Sequence, residues 1–220
     1  MKVYFISGLG ADSRVFKHIH LPPGFHPVYL EWIKPLNRES LASYALRLSA
    51  GINPAEPFAL VGLSLGGMIA TEMAKLYVPE QVIIISSVPS VLSLPRYYLI
   101  GGRLNLHKII PVSFFKKASF IKRFFTAETS GDKKLIREMI QHCDTEFIRW
   151  GMQAIVTWKN TDIPKRLIHI HGSQDFILPK RFAKATHVIS RGGHLMVMTH
   201  AAEINAILEK TLKQSAAATM

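Results

Sequence analysis

The chain has 220 residues, 48% of them hydrophobic and 19% charged, with a formal net charge of +12, and is long enough for one well-packed α/β domain. No apolar run approaches the roughly 20 residues that a membrane span needs, and residues 1–8 are too short an apolar segment for a signal peptide. Because Cys143 is the only cysteine, an internal disulfide is excluded, and we predict a cytoplasmic protein.

The first half of the chain alternates predicted strands and helices. Apolar and β-branched runs predict strands at residues 2–7, 26–32, 58–61 and 81–86. Helical spacing of apolar residues predicts a short helix at 15–20 and longer helices that begin near residues 40 and 65. The alternation implies right-handed crossovers and a doubly wound, mostly parallel sheet.

The pattern changes after residue 87, where strands give way to helical faces. One such face is formed by Phe114, Ala118, Ile121 and Phe125. We predict a helical insertion at residues 91–160, about 70 residues and too long for a crossover connection. The core of the domain would then consist of residues 1–90 and 161–220.

The positive charge is concentrated in this insertion. Residues 95–141 contain ten lysines and arginines against three acidic residues. Such clustering favours an anionic substrate, a peripheral anionic membrane surface or nucleic acid. No nucleic-acid-binding motif accompanies the charge, so we predict no nucleic-acid partner, and a solvated helical face is the simplest interpretation.

Alternation resumes in the last third of the chain. Strands are predicted at residues 166–171 and 185–189, and a single closing helix at 195–212. The remaining tail, from residue 215, is expected to fray.

The segment Gly62-Leu63-Ser64-Leu65-Gly66 lies between a predicted buried strand and a predicted helix. A Gly-x-Ser-x-Gly sequence in this context strains the serine backbone and exposes its hydroxyl above the sheet edge. Gly62 and Gly66 fit a turn so tight that any side chain would collide with the neighbouring strand or helix. The start of the helix directs free N–H groups at Ser64, where an anion would be stabilised. The alternative is a glycine-rich turn with a surface serine.

Asp175 and His194 each follow a later predicted strand. Because the carboxyl ends of parallel strands share one edge, we expect both residues to meet Ser64 there. A serine hydroxyl needs an imidazole to accept its proton, and the imidazole needs a carboxylate to fix its tautomer. Two other acids are less suitable than Asp175: Asp162 precedes a strand at its wrong end, and Asp12 lies in the loop after the first strand.

Other candidate sites are weaker. His169 and His171 alternate on a strand as a metal pair would, but no third ligand has suitable spacing, so we predict no metal. Gly8-Leu9-Gly10 begins a phosphate-binding pattern that Ser13 leaves incomplete, so we predict no nucleotide cofactor. The large aromatic residues of the insertion are expected in its core: Trp150 and Trp158.

These motifs resemble those of the α/β-hydrolase superfamily over nearly the whole chain. Residues 62–67 resemble its nucleophile elbow, residues 171–179 its acid loop, and Gly193-His194 its histidine loop. Residues 7–10 stand where the family has a His-Gly oxyanion loop, with Ser7 in place of the usual histidine.

The resemblance implies a sheet of about six parallel strands that lacks the first two strands of larger members, with residues 91–160 as a helical cap. It also implies that the backbone N–H groups of Leu9 and Leu65 form an oxyanion hole, and that Ser64, Asp175 and His194 are catalytic.

We therefore predict a carboxylesterase-like serine hydrolase without cofactor or metal. It would cleave an ester or thioester of a small apolar acyl group through an acyl intermediate on Ser64, with a small molecule as substrate. A C–C hydrolase or lyase with the same triad, and a non-catalytic small-molecule receptor, are the alternatives that the fold allows. The sequence predicts no particular oligomeric state.

Overall fold

A parallel sheet organises the described residues, which are 1–105, 109, 111–117 and 129–217 of the computed structural model. Its six strands are β1 (Lys2–Ile6), β2 (His26–Tyr29), β3 (Phe58–Leu63), β4 (Gln81–Ile85), β5 (Leu167–Gly172) and β6 (His187–Ile189). Their order is β2-β1-β3-β4-β5-β6, with every neighbouring pair parallel. The predicted doubly wound α/β fold is therefore confirmed.

The order of the strands determines where a ligand can bind. The chain winds from β1 outward to β2, then returns to the other side of β1 to form β3. The loops that leave β1 and β3 therefore diverge at the switch point of the sheet, and ligands bind outside the carboxyl ends of the strands at such a point. All six residues of β3 are buried, as expected for a central strand with helices on both faces.

Helices cover both faces of the sheet. In the described residues they are α1 (Leu41–Leu48), α2 (Leu65–Leu76), α3 (Arg96–Arg103), α4 (Val112–Phe115), α5 (Ser130–His142), α6 (Thr145–Thr157), α7 (Met196–Thr199) and α8 (Ala201–Ala217). One apolar core contains the inner residues of α1 and α2, and the other those of α7 and α8. None of the helices in these described ranges is long and apolar enough to cross a membrane.

Helices α3 to α6 all lie between β4 and β5 in the chain. Helix α6 packs so closely on the loop after β1 that a Cβ added at Gly151 would lie 2.5 Å from Leu9 Cδ1. Helix α5 is tied to the core by Asp132, whose buried carboxylate lies 2.5 Å from Lys17 Nζ and 3.3 Å from His18 Nε2. These helices therefore lie over the carboxyl edge of the sheet. The division of the chain at residues 90 and 160 remains a prediction.

Three details of the sequence-based prediction are wrong. The single closing helix is instead two, because the chain turns at His200, and the second helix continues to Ala217 where fraying was expected. The short helix predicted at 15–20 is a 3₁₀ turn at Ser13–Phe16. Of the predicted apolar face in the insertion, Phe114 lies in α4 and is 48% exposed, and the other three members lie outside the described residues. Trp150 and Trp158 are buried as predicted.

Candidate active site

Ser64 occupies the turn between β3 and α2 in a strained conformation. Its φ of 53° and ψ of −118° lie outside the regions that residues with a side chain normally adopt. The Ser64 N–H donates to the Ile85 carbonyl at 2.9 Å, and the Ser87 hydroxyl donates to the Ser64 carbonyl at 2.6 Å. Such strain persists only where the surroundings enforce it, and it is common at active sites.

Two glycines make this turn possible. A Cβ at Gly62 would overlap the backbone of Gly66, and a Cβ at Gly66 would overlap the carbonyl oxygens of Ile6 and Ser7. These atoms belong to the backbone and cannot move aside as a flexible side chain would. Both positions therefore require glycine, as the sequence indicated.

The three predicted residues lie in one hydrogen-bonded row. His194 Nε2 is 2.9 Å from Ser64 Oγ, and His194 Nδ1 is 2.8 Å from Asp175 Oδ2. Asp175 and His194 are 3% and 4% exposed, whereas Ser64 is partly accessible. The carboxylate fixes the imidazole with Nδ1 protonated, so Nε2 bears no proton and can accept that of the serine.

The second oxygen of Asp175 is held by backbone donors. Oδ1 accepts the N–H groups of Ile177 and Leu178, both at 2.9 Å. Burial alone would raise the pKa of this carboxyl group, but His194 and the hydrogen bond from the Leu178 N–H together hold the pKa below its usual value. Asp175 is therefore ionised at neutral pH, as it must be to stabilise an imidazolium.

The two residues predicted to supply oxyanion donors adjoin Ser64, since Leu65 follows it in the chain and Leu9 lines the same cavity. Leu65 is the first residue of α2, so its N–H belongs to the unpaired first turn of that helix. Leu9 directly follows Gly8 in the loop after β1. A Cβ added at Gly8 would lie 3.3 Å from Ser64 Cβ, so this part of the loop lies against the serine. Within the described ranges neither N–H donates a hydrogen bond, so both are available to a ligand.

Ser7, which departs from the family pattern, stabilises the same loop. Its hydroxyl donates to the Ala11 carbonyl at 3.0 Å, and Trp32 Nε1 donates to the same carbonyl at 2.7 Å. Both donors hold the turn that follows Leu9. These roles depend on contacts with Ala11 that no sequence motif indicates.

A small cavity of about 20 Å³ adjoins Ser64. Its apolar lining comes from the core and from α5: Leu9, Leu63, Ile136, Met139, Ile140 and Leu195. The volume is close to that of one water molecule. Among the described residues, α5 contributes Ile136, Met139 and Ile140 to the cover over the serine.

The alternative candidates lie apart from this row. Asp12 pairs with Arg14 at the start of the 3₁₀ turn, and Asp162 is exposed. His169 and His171 are adjacent and buried on β5, but no group of three or more potential metal ligands occurs in the described part of the chain. Ser87, which supports the Ser64 backbone, was not predicted from the sequence, because it acts through a backbone carbonyl whose position only the folded turn defines.

Comparisons with known proteins agree with this fold. The model of the alpha/beta hydrolase family matches residues 3–207. A search of curated protein sequences found no significant match.

Three solved structures illustrate the similarity in fold. A thermophilic esterase from Thermogutta terrifontis, with malate bound, has a TM-score of 0.69 at 15% identity, over 98% of this chain and 90% of that one. MenH from S. aureus has a TM-score of 0.74 at 15% identity, over 98% and 94%. A bromoperoxidase from Bacillus anthracis has a TM-score of 0.68 at 17% identity, over 96% and 91%. At these identities the similarity shows the fold alone, since one fold can carry many different functions.

Proposed function

Because the chain belongs to the alpha/beta hydrolase family, we propose that it is a carboxylesterase-like serine hydrolase acting on an ester or thioester of a small apolar acid. The observation that carries the proposal is the row from Ser64 Oγ through His194 to Asp175, with contacts of 2.9 and 2.8 Å. A strained serine above a helix N-terminus, with two N–H groups beside it, supplies both nucleophile and anion site.

The proposed reaction has two halves. Ser64 Oγ attacks the carbonyl carbon while His194 Nε2 takes the hydroxyl proton, and the oxyanion is held by the N–H groups of Leu9 and Leu65. The tetrahedral intermediate expels the alcohol or thiol, which receives that proton from His194. Water then attacks the acyl-Ser64 ester with His194 as base, releasing the acid and restoring the serine. Asp175 stabilises the imidazolium in both halves.

The size and lining of the site support a small apolar acyl group. The cavity at Ser64 is lined mainly by aliphatic side chains, which offer no partner to a charged or strongly polar acyl chain. A cleft of about 470 Å³ adjoins this cavity, since Ala11 and Met139 line both. We propose that α3 to α6 act as the cap of the site and that this cleft receives the rest of the substrate.

The nucleophile can be identified by covalent labelling. A fluorophosphonate should label wild-type protein on Ser64, and Ser64→Ala should remain folded but lose labelling and lower kcat by several orders of magnitude. Labelling that persists in the Ser64→Ala variant would contradict the proposal. A panel of esters of increasing acyl length, with thioesters and lactones, would then define the substrate class.

A further inference from the structure

Two buried histidines on β5 are not part of the triad. His169 and His171 are 1% and 0% exposed and lie two residues apart on one face of the strand. His169 Nε2 is 3.2 Å from His171 Nδ1, and His171 Nε2 is 2.7 Å from the Leu178 carbonyl oxygen. Imidazoles are costly to bury unless they are hydrogen-bonded, so this row calls for a physical explanation.

The contacts determine the tautomer of each ring. A carbonyl oxygen can only accept, so His171 Nε2 bears the proton and donates to Leu178. In a neutral His171 ring Nδ1 is then an acceptor, and His169 Nε2–H donates to it. His169 Nδ1 has no aligned hydrogen-bond partner among the described residues, which fits a ring nitrogen that bears no proton.

Both rings are neutral at physiological pH. Burial, reinforced by the neighbouring His171, lowers the pKa of His169 to about 4, and burial also lowers the pKa of His171. Neutrality of His171 matters to the triad, because its Nε2 is 3.7 Å from Asp175 Oδ2. A cation there would compete with His194 for the same carboxylate oxygen.

His171 acts on Asp175 through Leu178. The Leu178 carbonyl accepts from His171, and the Leu178 N–H donates to Asp175 Oδ1. The ionisable groups that face Asp175 are His194, His171 and the phenols of Tyr97 and Tyr98. Burial raises the pKa of both phenols, so they stay neutral, and the Tyr98 hydroxyl donates to the Ile177 carbonyl at 3.0 Å in the same loop.

We propose that His171 is a positioning residue of the triad: as a neutral Nε2–H imidazole it holds the Leu178 carbonyl, and so fixes the loop that aims Asp175 Oδ2 at His194. His169 fixes the tautomer of His171 by donating to its Nδ1. This inference rests on the proposed function, since a positioned carboxylate matters only if His194 serves as a base.

Matched substitutions at position 171 separate positioning from packing. His171→Leu fills the space without a donor, whereas His171→Gln places an amide N–H near the same carbonyl. The matched control is His187→Leu, which removes a half-buried histidine from the neighbouring strand β6. The readouts are kcat and KM for p-nitrophenyl acetate, the fluorophosphonate labelling rate of Ser64 and the pH profile of kcat/KM.

We expect His171→Leu to lower kcat and the labelling rate by about tenfold to a hundredfold, the usual effect of losing an outer hydrogen-bond partner, with KM nearly unchanged. The midpoint of its pH profile should move to lower pH, because a misplaced carboxylate stabilises the imidazolium less. His171→Gln should recover most of the rate, and His187→Leu should behave as wild type.

Three outcomes would overturn the inference. The first is a His171→Leu variant that labels at Ser64 at the wild-type rate and has an unshifted pH profile. The second is an equal loss of kcat in His171→Leu and His171→Gln, which would indicate that His171 acts by packing instead of by donating a hydrogen bond. Long-range ¹H–¹⁵N spectra of the wild-type protein provide a test that does not depend on the folding of a variant. They should show neutral Nε2–H tautomers for both rings from pH 6 to 8. The third contradicting outcome is a His171 ring that is protonated or that carries its proton on Nδ1. Failure of wild-type protein to label at Ser64 would instead refute the proposed function.

Discussion

The strained backbone of Ser64 is enforced by close contacts on two sides of the turn. Gly66 lies directly against the carbonyl oxygens that end β1, and Gly62 lies against Gly66 itself. The turn is thus determined by backbone packing, and any side chain at Gly66 must push β1 and its following loop away from α2.

We predict that Gly66→Ala inactivates the protein. Displacement of the loop after β1 would remove the Leu9 N–H from the oxyanion site, which should cost at least about a hundredfold in kcat/KM. The matched control is Gly131→Ala in the first turn of α5, where the nearest atom to an added Cβ is 3.9 Å away. Gly131→Ala should keep full activity and raise the free energy of unfolding by up to about 1 kcal/mol. An active Gly66→Ala variant would show that the turn tolerates a side chain.

The sequence predicts the reactive residues better than the residues that hold them in place. Ser64, Asp175 and His194 could be singled out because each follows a predicted strand, and parallel topology brings such positions to one edge. Their catalytic roles remain predictions. Ser87 and His171 could not be found in the same way, because they act through backbone carbonyls whose positions only the folded loops define.

Helix α5 both covers the serine and is fixed to the core. Ile136, Met139 and Ile140 line the cavity beside Ser64, while Asp132 at the start of the helix pairs with Lys17. Met139 also lines the neighbouring cleft, so its side chain forms part of the wall between the two spaces. The identity of residue 139 should therefore limit the length of the acyl chain.

Met139→Ala should shift the preference of the protein toward longer acyl chains. Removing the side chain joins the cavity to the cleft, so kcat/KM should rise for longer p-nitrophenyl esters relative to the acetate. The control is Met73→Ala, which truncates an equally buried methionine on α2 away from the site. Both variants should lose about 2–5 kcal/mol of stability, so unfolding in urea is measured alongside activity. The same acyl preference in both variants would show that Met139 does not limit chain length.

Elements with strong patterns could be predicted, and those defined by tertiary contacts could not. The β-branched run of β4 and the apolar spacing of α1 indicate their structures directly. The break between α7 and α8 carries no such signal, because helical spacing of apolar residues continues through it. In the structure three residues of α7 are buried, and the chain turns at His200 so that α8 can pack on the sheet. Packing thus overrides the local pattern there.

Over the whole molecule, part of the unusual positive charge has a structural role. Lys116 donates to the carbonyls of Gln141 and Cys143, which joins α4 to the end of α5, and Lys17 pairs with buried Asp132. Three of the ten cations between residues 95 and 141 lie outside the described ranges: Lys108, Lys122 and Arg123. Contact with an anionic surface remains a prediction for this region.

The buried histidines should make the whole fold sensitive to acid. The pKa of His169 falls from 6.5 to about 4 on folding, so the unfolded chain binds more protons than the native state between these values. The free energy of unfolding should therefore decrease as the pH falls from 6.5 to 4, by about 3 kcal/mol for this one group. The carboxyl groups of Asp132 and Asp175, whose pKa values are lowered from 3.8, stabilise the fold above that pH, and most of their contribution is lost below this window.

Urea unfolding at pH 6.5 and pH 4 checks this prediction. In His169→Gln, the free energy of unfolding should differ between the two pH values by about 3 kcal/mol less than in the wild type. His187→Gln should show the same difference as the wild type. An equal pH dependence in wild type and His169→Gln would show that His169 is not the titrating group.

Rapid-quench mass spectrometry of the protein with p-nitrophenyl butyrate tests whether Ser64 forms an acyl intermediate. We predict a burst of p-nitrophenol and a transient butyryl adduct on the peptide that contains Ser64, both absent in Ser64→Ala. Turnover of the ester with no adduct at any quench time, or an adduct on a different residue, would contradict the account.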